Sequence, residues 1–211
     1  MDYNFKIINI VFLVLVITGC QMFSADLLIL TGFSGGGKST TLSNLLSKHP
    51  GALKNLVFYT TRAPRQGEVD GQDYYFVSLE KFEEISDAGM FINQSTYENK
   101  HGGILMYGVP RFFGKHVVAL GIDAAISLKK NLQEKALLVF AGCHLDQSNE
   151  NLANRAADGD GFLSQRQENN RSFYHQFLQN KDLFDIDLRG VSQEDTPTKL
   201  EQILKSRNFL H

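Results

Sequence analysis

The apolar residues of the chain come in two rhythms. Short unbroken runs suit strands buried on both faces of a parallel sheet: Leu27-Leu28-Ile29-Leu30, Val117-Val118-Ala119-Leu120 and Ala136 to Ala141. The second of these reads as a strand over 117–123 that ends in an acid, and Leu56 to Tyr59 and Phe184 to Leu188 are shorter strand candidates. Between the runs, apolar residues recur every three or four positions. Leu42, Leu45 and Leu46 mark a helix after the first run, and Phe173 and Phe177 mark one over 171–179. Ser78 is placed to N-cap a helix through LEKFEEI, and a further helix is expected over 124–132. Asp195-Thr196-Pro197 opens a last helix through Leu200, Ile203 and Leu204, with proline in its first turn. Strand and helix alternate along the chain, which predicts an α/β fold around a central parallel sheet.

Composition changes this picture little. The 211 residues, 43% hydrophobic and 21% charged, suit one globular domain with a sizeable core and room for inserted subdomains. A formal net charge of −2 gives no basic field to recruit nucleic acid. Two cysteines, Cys20 and Cys143, make no disulfide framework, and Cys143, just after an apolar run, reads as a buried free thiol.

The first residues form a segment of their own. Ile7 to Ile17 is apolar except for Asn9, too short for a bilayer span but long enough for the core of a signal peptide. Ile17-Thr18-Gly19-Cys20 resembles a bacterial lipobox, which makes Cys20 a candidate for lipidation and membrane anchoring. The same segment also reads as a plain extension on a cytoplasmic protein. Residues 1–23 are therefore set apart from a domain expected over 24–207.

The chemistry begins at Gly32-Phe33-Ser34-Gly35-Gly36-Gly37-Lys38-Ser39, which fits G-x-x-x-x-G-K-[ST] between a strand and a helix. In that setting successive backbone N–H groups turn inward around a polyphosphate, and the helix N-terminus adds partial positive charge. Gly32, Ser34, Gly35, Gly36, Gly37, Lys38, Ser39 and Thr40 form the candidate ATP site. Lys38 would reach the β and γ phosphates, and the Ser39 hydroxyl would take a place on Mg²⁺.

Further on, Thr60-Thr61-Arg62-Ala63-Pro64-Arg65-Gln66-Gly67-Glu68-Val69-Asp70-Gly71-Gln72-Asp73-Tyr74-Tyr75-Phe76 sets two arginines three apart beside tyrosines. Planar guanidinium groups suit a phosphate acceptor, and phenol hydroxyls add neutral donors. This segment resembles the acceptor-binding signature of guanylate kinases, T-T-R-x-P-R-x-G-E-x-x-G-x-D-Y-x-F, at every fixed position. The resemblance covers residues 27–92 most strongly. It implies a P-loop NTPase core with an inserted acceptor-binding subdomain at about 58–110 and a lid at about 146–168. It also implies ATP- and Mg²⁺-dependent phosphorylation of a nucleoside monophosphate, most simply GMP to GDP. Arg62, Arg65 and Tyr74 would hold the acceptor phosphate, with Tyr107 of the Tyr107-Gly108 pair beside them. Asp123, on the second acid of the family's L-D-I-D strand, would contact the base, or would N-cap the helix that follows. Arg155 and Arg166, eleven apart in the lid, would join Lys38 in neutralising the transferred phosphoryl group.

The chain departs from the family at several points. The glutamate and serine that read guanine there are Asn93 and Phe58 here, and a serine or threonine after the Tyr-Gly pair is Val109. Gly121 replaces the first acid of the L-D-I-D strand, Asn151 replaces an arginine of the lid, and Arg189-Gly190 replaces an asparagine-aspartate near the adenine. These leave two alternatives beside GMP kinase: a kinase of another phosphate-bearing acceptor, or an interaction module that has lost the chemistry.

Overall fold

The computed structural model describes residues 25–65, 67–98, 103–157 and 163–210. Segment 1–23, and Cys20 with it, lies outside the described residues. In chain order the elements are β1 (Leu27–Thr31), α1 (Lys38–Lys48), β2 (Lys54–Asn55), β3 (Phe58–Thr60), β4 (Tyr74–Phe76), α2 (Leu79–Asp87), β5 (Phe91–Glu98), β6 (Ile104–Pro110), β7 (His116–Ala119), α3 (Ile122–Leu132), β8 (Ala136–Phe140), α4 (Leu145–Ala157), α5 (Leu163–Gln179), β9 (Ile186–Asp187) and α6 (Thr196–Ser206).

The strands form two sheets. The first runs β2-β7-β1-β8-β9, with every pairing parallel. Its central strand β1 is buried along its whole length, as an unbroken apolar run demands. Side chains of β1 alternate between two layers. Leu28 and Leu30 pack with Leu45 of α1 and with Leu200 and Leu204 of α6. Leu27 and Ile29 face the other way, onto Ala125 and Leu128 of α3. An aromatic cluster closes this second side: Phe140 packs edge-on against Phe33, Phe173 and Phe177, with ring centroids 5.0–5.3 Å apart.

The second sheet runs β4-β3-β6-β5 and stands apart from the first. Parallel register places Tyr74 beside Phe58 and Phe76 beside Thr60, while antiparallel register sets Thr60 against Tyr107, Asn93 against Val109 and Ser95 against Tyr107. These residues share one face. The opposite face carries Tyr59 stacked on Tyr75, and Phe91 wedged between Tyr59 and Phe82 of α2. Gly108 is required there, because a Cβ on it would lie 2.6 Å from the Phe91 ring.

Several boundaries differ from the sequence pattern. The run Leu56 to Tyr59 is not one strand. Lys54 and Asn55 edge the parallel sheet, the Leu56 N–H bonds to the Val117 carbonyl, and the chain then crosses to the second sheet at Phe58. The strand expected to end in Asp123 stops at Ala119, and Asp123 lies in the first turn of α3, whose N-cap is Gly121. Asp123 is therefore not the cap. The helix expected over 171–179 begins at Leu163, because its first two turns are polar helix formers that leave no apolar trace. Ser78 caps α2 as expected, accepting from the Lys81 N–H at 3.2 Å. Cys143 is buried, and burial pushes its thiol pKa up.

Candidate active site

The glycine loop leaves β1 and folds over the start of α1. The Gly36 N–H bonds back to the Phe33 carbonyl at 3.0 Å, closing the turn. Gly35 has φ +83°, and a Cβ there would sit 2.8 Å from the Ser148 carbonyl oxygen. Helix α4 thus packs directly on the loop, and only glycine fits the contact. The Lys38 ammonium donates to the carbonyls of Gly32 and Phe33, both at 2.9 Å, and so lies along the loop's inner side.

Side chains from α4 and α5 hold the loop from outside. Asn170 on α5 is buried. Its Oδ1 accepts from the Ser34 N–H at 2.7 Å, and its Nδ2 donates to the Ser34 carbonyl at 3.2 Å. Ser148 on α4 donates its hydroxyl to that same carbonyl at 2.7 Å. Asn151 donates to the Gly35 carbonyl at 3.0 Å. Sequence reading missed all three. Asn170 gave no signal because its polar neighbours look like any solvated helix. Asn151 was seen only as a lost arginine, whereas the structure shows it bracing the loop.

Around the loop lie two openings. One, of about 200 Å³, is lined by Gly35, Lys38, Ser39, Thr40 and Arg166 among others. Arg166 on α5 therefore does reach the loop. Arg155 lies on α4, and its side chain is outside the described residues, as are residues 158–162 between the two helices. The other opening, of about 380 Å³, is lined by Gly32, Ser34, Lys38, Gly121, Asp123 and Asn170 among others.

The acceptor candidates meet on the open face of the second sheet. Arg62 lies 5.3 Å from the Tyr74 ring centroid and 5.5 Å from that of Phe76. The Tyr74 and Tyr107 rings meet edge-on at 5.9 Å. The Arg62 guanidinium forks onto Glu68, with both N–O distances 2.9 Å, and Glu68 also accepts the Arg65 N–H at 2.7 Å. This hydrogen-bonded pair raises the Arg62 pKa and lowers that of Glu68. Burial pushes the Tyr74 phenol up, so it stays a neutral donor. Arg65 is the outlier: its backbone closes the 65–68 turn, while its side chain is exposed.

Tyr74, Tyr107, Phe58, Ser95, Gly121 and Asp123 border a cavity of about 360 Å³. Gly121 and Asp123 also border the opening above Lys38. The start of α3 is thus the shared wall between the loop and the tyrosine-lined cavity. Ser39, exposed in the first turn of α1, offers one hydroxyl oxygen beside the loop. Among the described residues, no three His, Cys, Asp or Glu side chains gather into a metal-binding group. One hydroxyl at a polyphosphate site suits Mg²⁺, which takes few protein ligands and keeps phosphate oxygens and waters.

Comparison with known proteins follows the same lines. The guanylate kinase family model matches residues 24–207. The guanylate kinase of Streptococcus thermophilus (strain CNRZ 1066) is 31% identical over 153 residues, spanning 69% of this chain and 71% of that protein. The guanylate kinase of Trichodesmium erythraeum is 30% identical over 191 residues, spanning 87% and 97%. The crystal structure of guanylate kinase from Anaplasma phagocytophilum matches with a TM-score of 0.58 at 22% identity, over 87% of this chain and 85% of that one, which shows a shared fold. With a glycine loop, a tyrosine-lined cavity facing it and a family match over most of its length, the chain belongs to the guanylate kinase family.

Proposed function

We propose that the chain is a nucleoside monophosphate kinase that transfers the γ-phosphoryl group of ATP to GMP, giving ADP and GDP. One observation carries this reading. The cavity bordered by Tyr74 and Tyr107 and the opening above Lys38 meet at Gly121 and Asp123, so two anionic substrates have adjoining seats.

In this reading the triphosphate lies in the glycine loop, with Gly32, Ser34, Gly35, Gly36, Gly37, Lys38, Ser39 and Thr40 around it. Lys38 leaves the Gly32 and Phe33 carbonyls to pair with the β and γ phosphates. Arg62, Tyr74 and Tyr107 hold the acceptor phosphate, and Arg65 swings in from solvent to complete the grip. An acceptor phosphate oxygen attacks the γ phosphorus in line as its bond to the β–γ bridging oxygen breaks, and ADP departs. Charge spread over the transferred group is met by Lys38 and Arg166, with Arg155 joining as segment 146–168 closes as a lid. Ser39 would hold Mg²⁺, which would supply charge neutralisation to the triphosphate. The protein positions and neutralises, and no covalent enzyme intermediate is needed.

The test is a coupled assay of ADP and GDP formation with full-length protein and its Lys38→Ala variant. We expect turnover in the wild type and a drop in kcat of about a hundredfold or more in the variant. Equal rates in the two proteins would remove the kinase reading.

No helix among the described residues is long and apolar enough to cross a membrane. We propose a cytoplasmic location, where ATP is available, or membrane attachment if the lipobox-like segment is processed at Cys20. Mass analysis of the mature N-terminus decides whether Cys20 carries lipid.

A further inference from the structure

Past the tyrosines, the open face of the second sheet continues into a recess of about 60 Å³. Phe58, Asn93, Ser95, Val109, Ala124 and Ser127 are among its walls, and Phe58, Ser95, Tyr107 and Ala124 border the larger cavity as well. A monophosphate gripped by Arg62, Tyr74 and Tyr107 would lay its base in the larger cavity, with one edge turned to this recess. The register fixes who can read it, since Asn93 and Ser95 stand on the same face as Val109 and Tyr107.

The hydrogen-bonding side chains free to turn toward a base here are neutral and reversible. The Asn93 carboxamide offers a carbonyl and an NH₂ that exchange places by a half-turn. The hydroxyls of Ser95 and Ser127 donate or accept by rotation. Gln94 is committed elsewhere: its Nε2 donates to the Ser86 hydroxyl at 2.9 Å. The group of fixed sign nearby is Asp123, and it borders the larger cavity and the opening above Lys38.

A 6-oxopurine presents an acceptor beside a ring N–H donor. A 6-aminopurine presents a donor beside a ring nitrogen acceptor. A carboxylate at position 93 would accept from the first and repel the ring lone pair of the second. A carboxamide pairs with the 6-position and N1 of either by turning over, so position 93 does not itself create the mismatch from which discrimination is built.

We propose, resting on the placement of the acceptor phosphate above, that Asn93 makes this site tolerant of the base, so that it takes GMP and AMP with affinities within about tenfold of each other. Phe58 supplies a flat apolar wall that suits either purine.

Titration calorimetry with GMP and with AMP, on full-length wild type and Asn93→Glu, tests this, with turnover of each nucleotide measured in parallel. Wild type should bind both within about tenfold, and the carboxylate should widen the advantage of GMP by about tenfold or more, mainly by weakening AMP. Asn93→Asp, nearly isosteric, replaces the longer variant if that one fails to fold. A wild-type preference beyond about a hundredfold, binding of neither nucleotide, or an unchanged ratio in the folded carboxylate variant overturns the proposal. Comparable binding of both without phosphorylation upholds base tolerance and removes the kinase reading. Phosphorylation and binding of GMP alone does the reverse.

Discussion

Asn170 shows how much a single amide can carry. It pairs with both backbone groups of Ser34 and reaches Asn149 at 3.2 Å, all from a position with almost no solvent exposure. Replacing it with alanine removes the Asn170 acceptor from the Ser34 N–H, leaves the Ser34 carbonyl with the Ser148 hydroxyl, and opens a gap between α5 and the loop. We expect Asn170→Ala to cost about 1–3 kcal/mol of stability, read by urea unfolding, and to raise the KM for ATP more than that for the acceptor. A stability loss with both KM values unchanged would make Asn170 a packing residue only. Arg62 and Glu68 show the complementary case, where the sequence did point to the residues. The signature names both, yet only the structure shows them forked onto each other with the Arg65 N–H on the same carboxylate.

Among elements, the join of α1 to α6 is held at one carboxylate. Glu201 on α6 accepts from Lys205 at 3.0 Å and from Lys48 on α1 at 3.1 Å, with His49 at 3.3 Å. Hydrogen bonds from Lys205 and Lys48 draw its pKa from 4.5 down to about 2. A carboxylate with a depressed folded pKa adds stability above its unfolded pKa and loses it as pH falls toward the folded one. Glu201→Gln should therefore lower Tm at pH 7, by an amount matching about 1 kcal/mol, and the gap from wild type should close between pH 4.5 and about 2. Thermal melts of both proteins across that range provide the check. The elements themselves were legible in uneven measure. β1 and β8 showed because burial on both faces leaves nothing polar in the apolar run, and α6 showed through its proline and its leucine spacing. α5 was half hidden because its first turns meet solvent, and the crossing at Leu56 was hidden because both sheets want the same apolar residues. At the site, the loop and the arginine–tyrosine signature were legible as motifs. The braces from Ser148, Asn151 and Asn170 were not, since they join residues more than a hundred positions apart.

At the scale of the whole molecule, the second sheet is an excursion from the first. The chain leaves the parallel sheet after Asn55 and returns at His116, and those two points lie on neighbouring, hydrogen-bonded strands, with Lys54 in register with His116. The intervening stretch thus departs and rejoins at nearly one place. The glycine loop, α4 and α5 all belong to the part outside it. The architecture therefore has the form of a cassette spliced into a host at a single seam. Exchanging residues 56–115 for the matching stretch of another guanylate kinase should transplant the choice of acceptor and leave the KM for ATP within about threefold, as expected of sites that share few partners. Kinetics of the chimera with several monophosphates would reveal whether the trait travels with the insert. A family built on such a seam can change what it phosphorylates by trading one stretch of chain, while the machinery that handles the triphosphate is inherited intact.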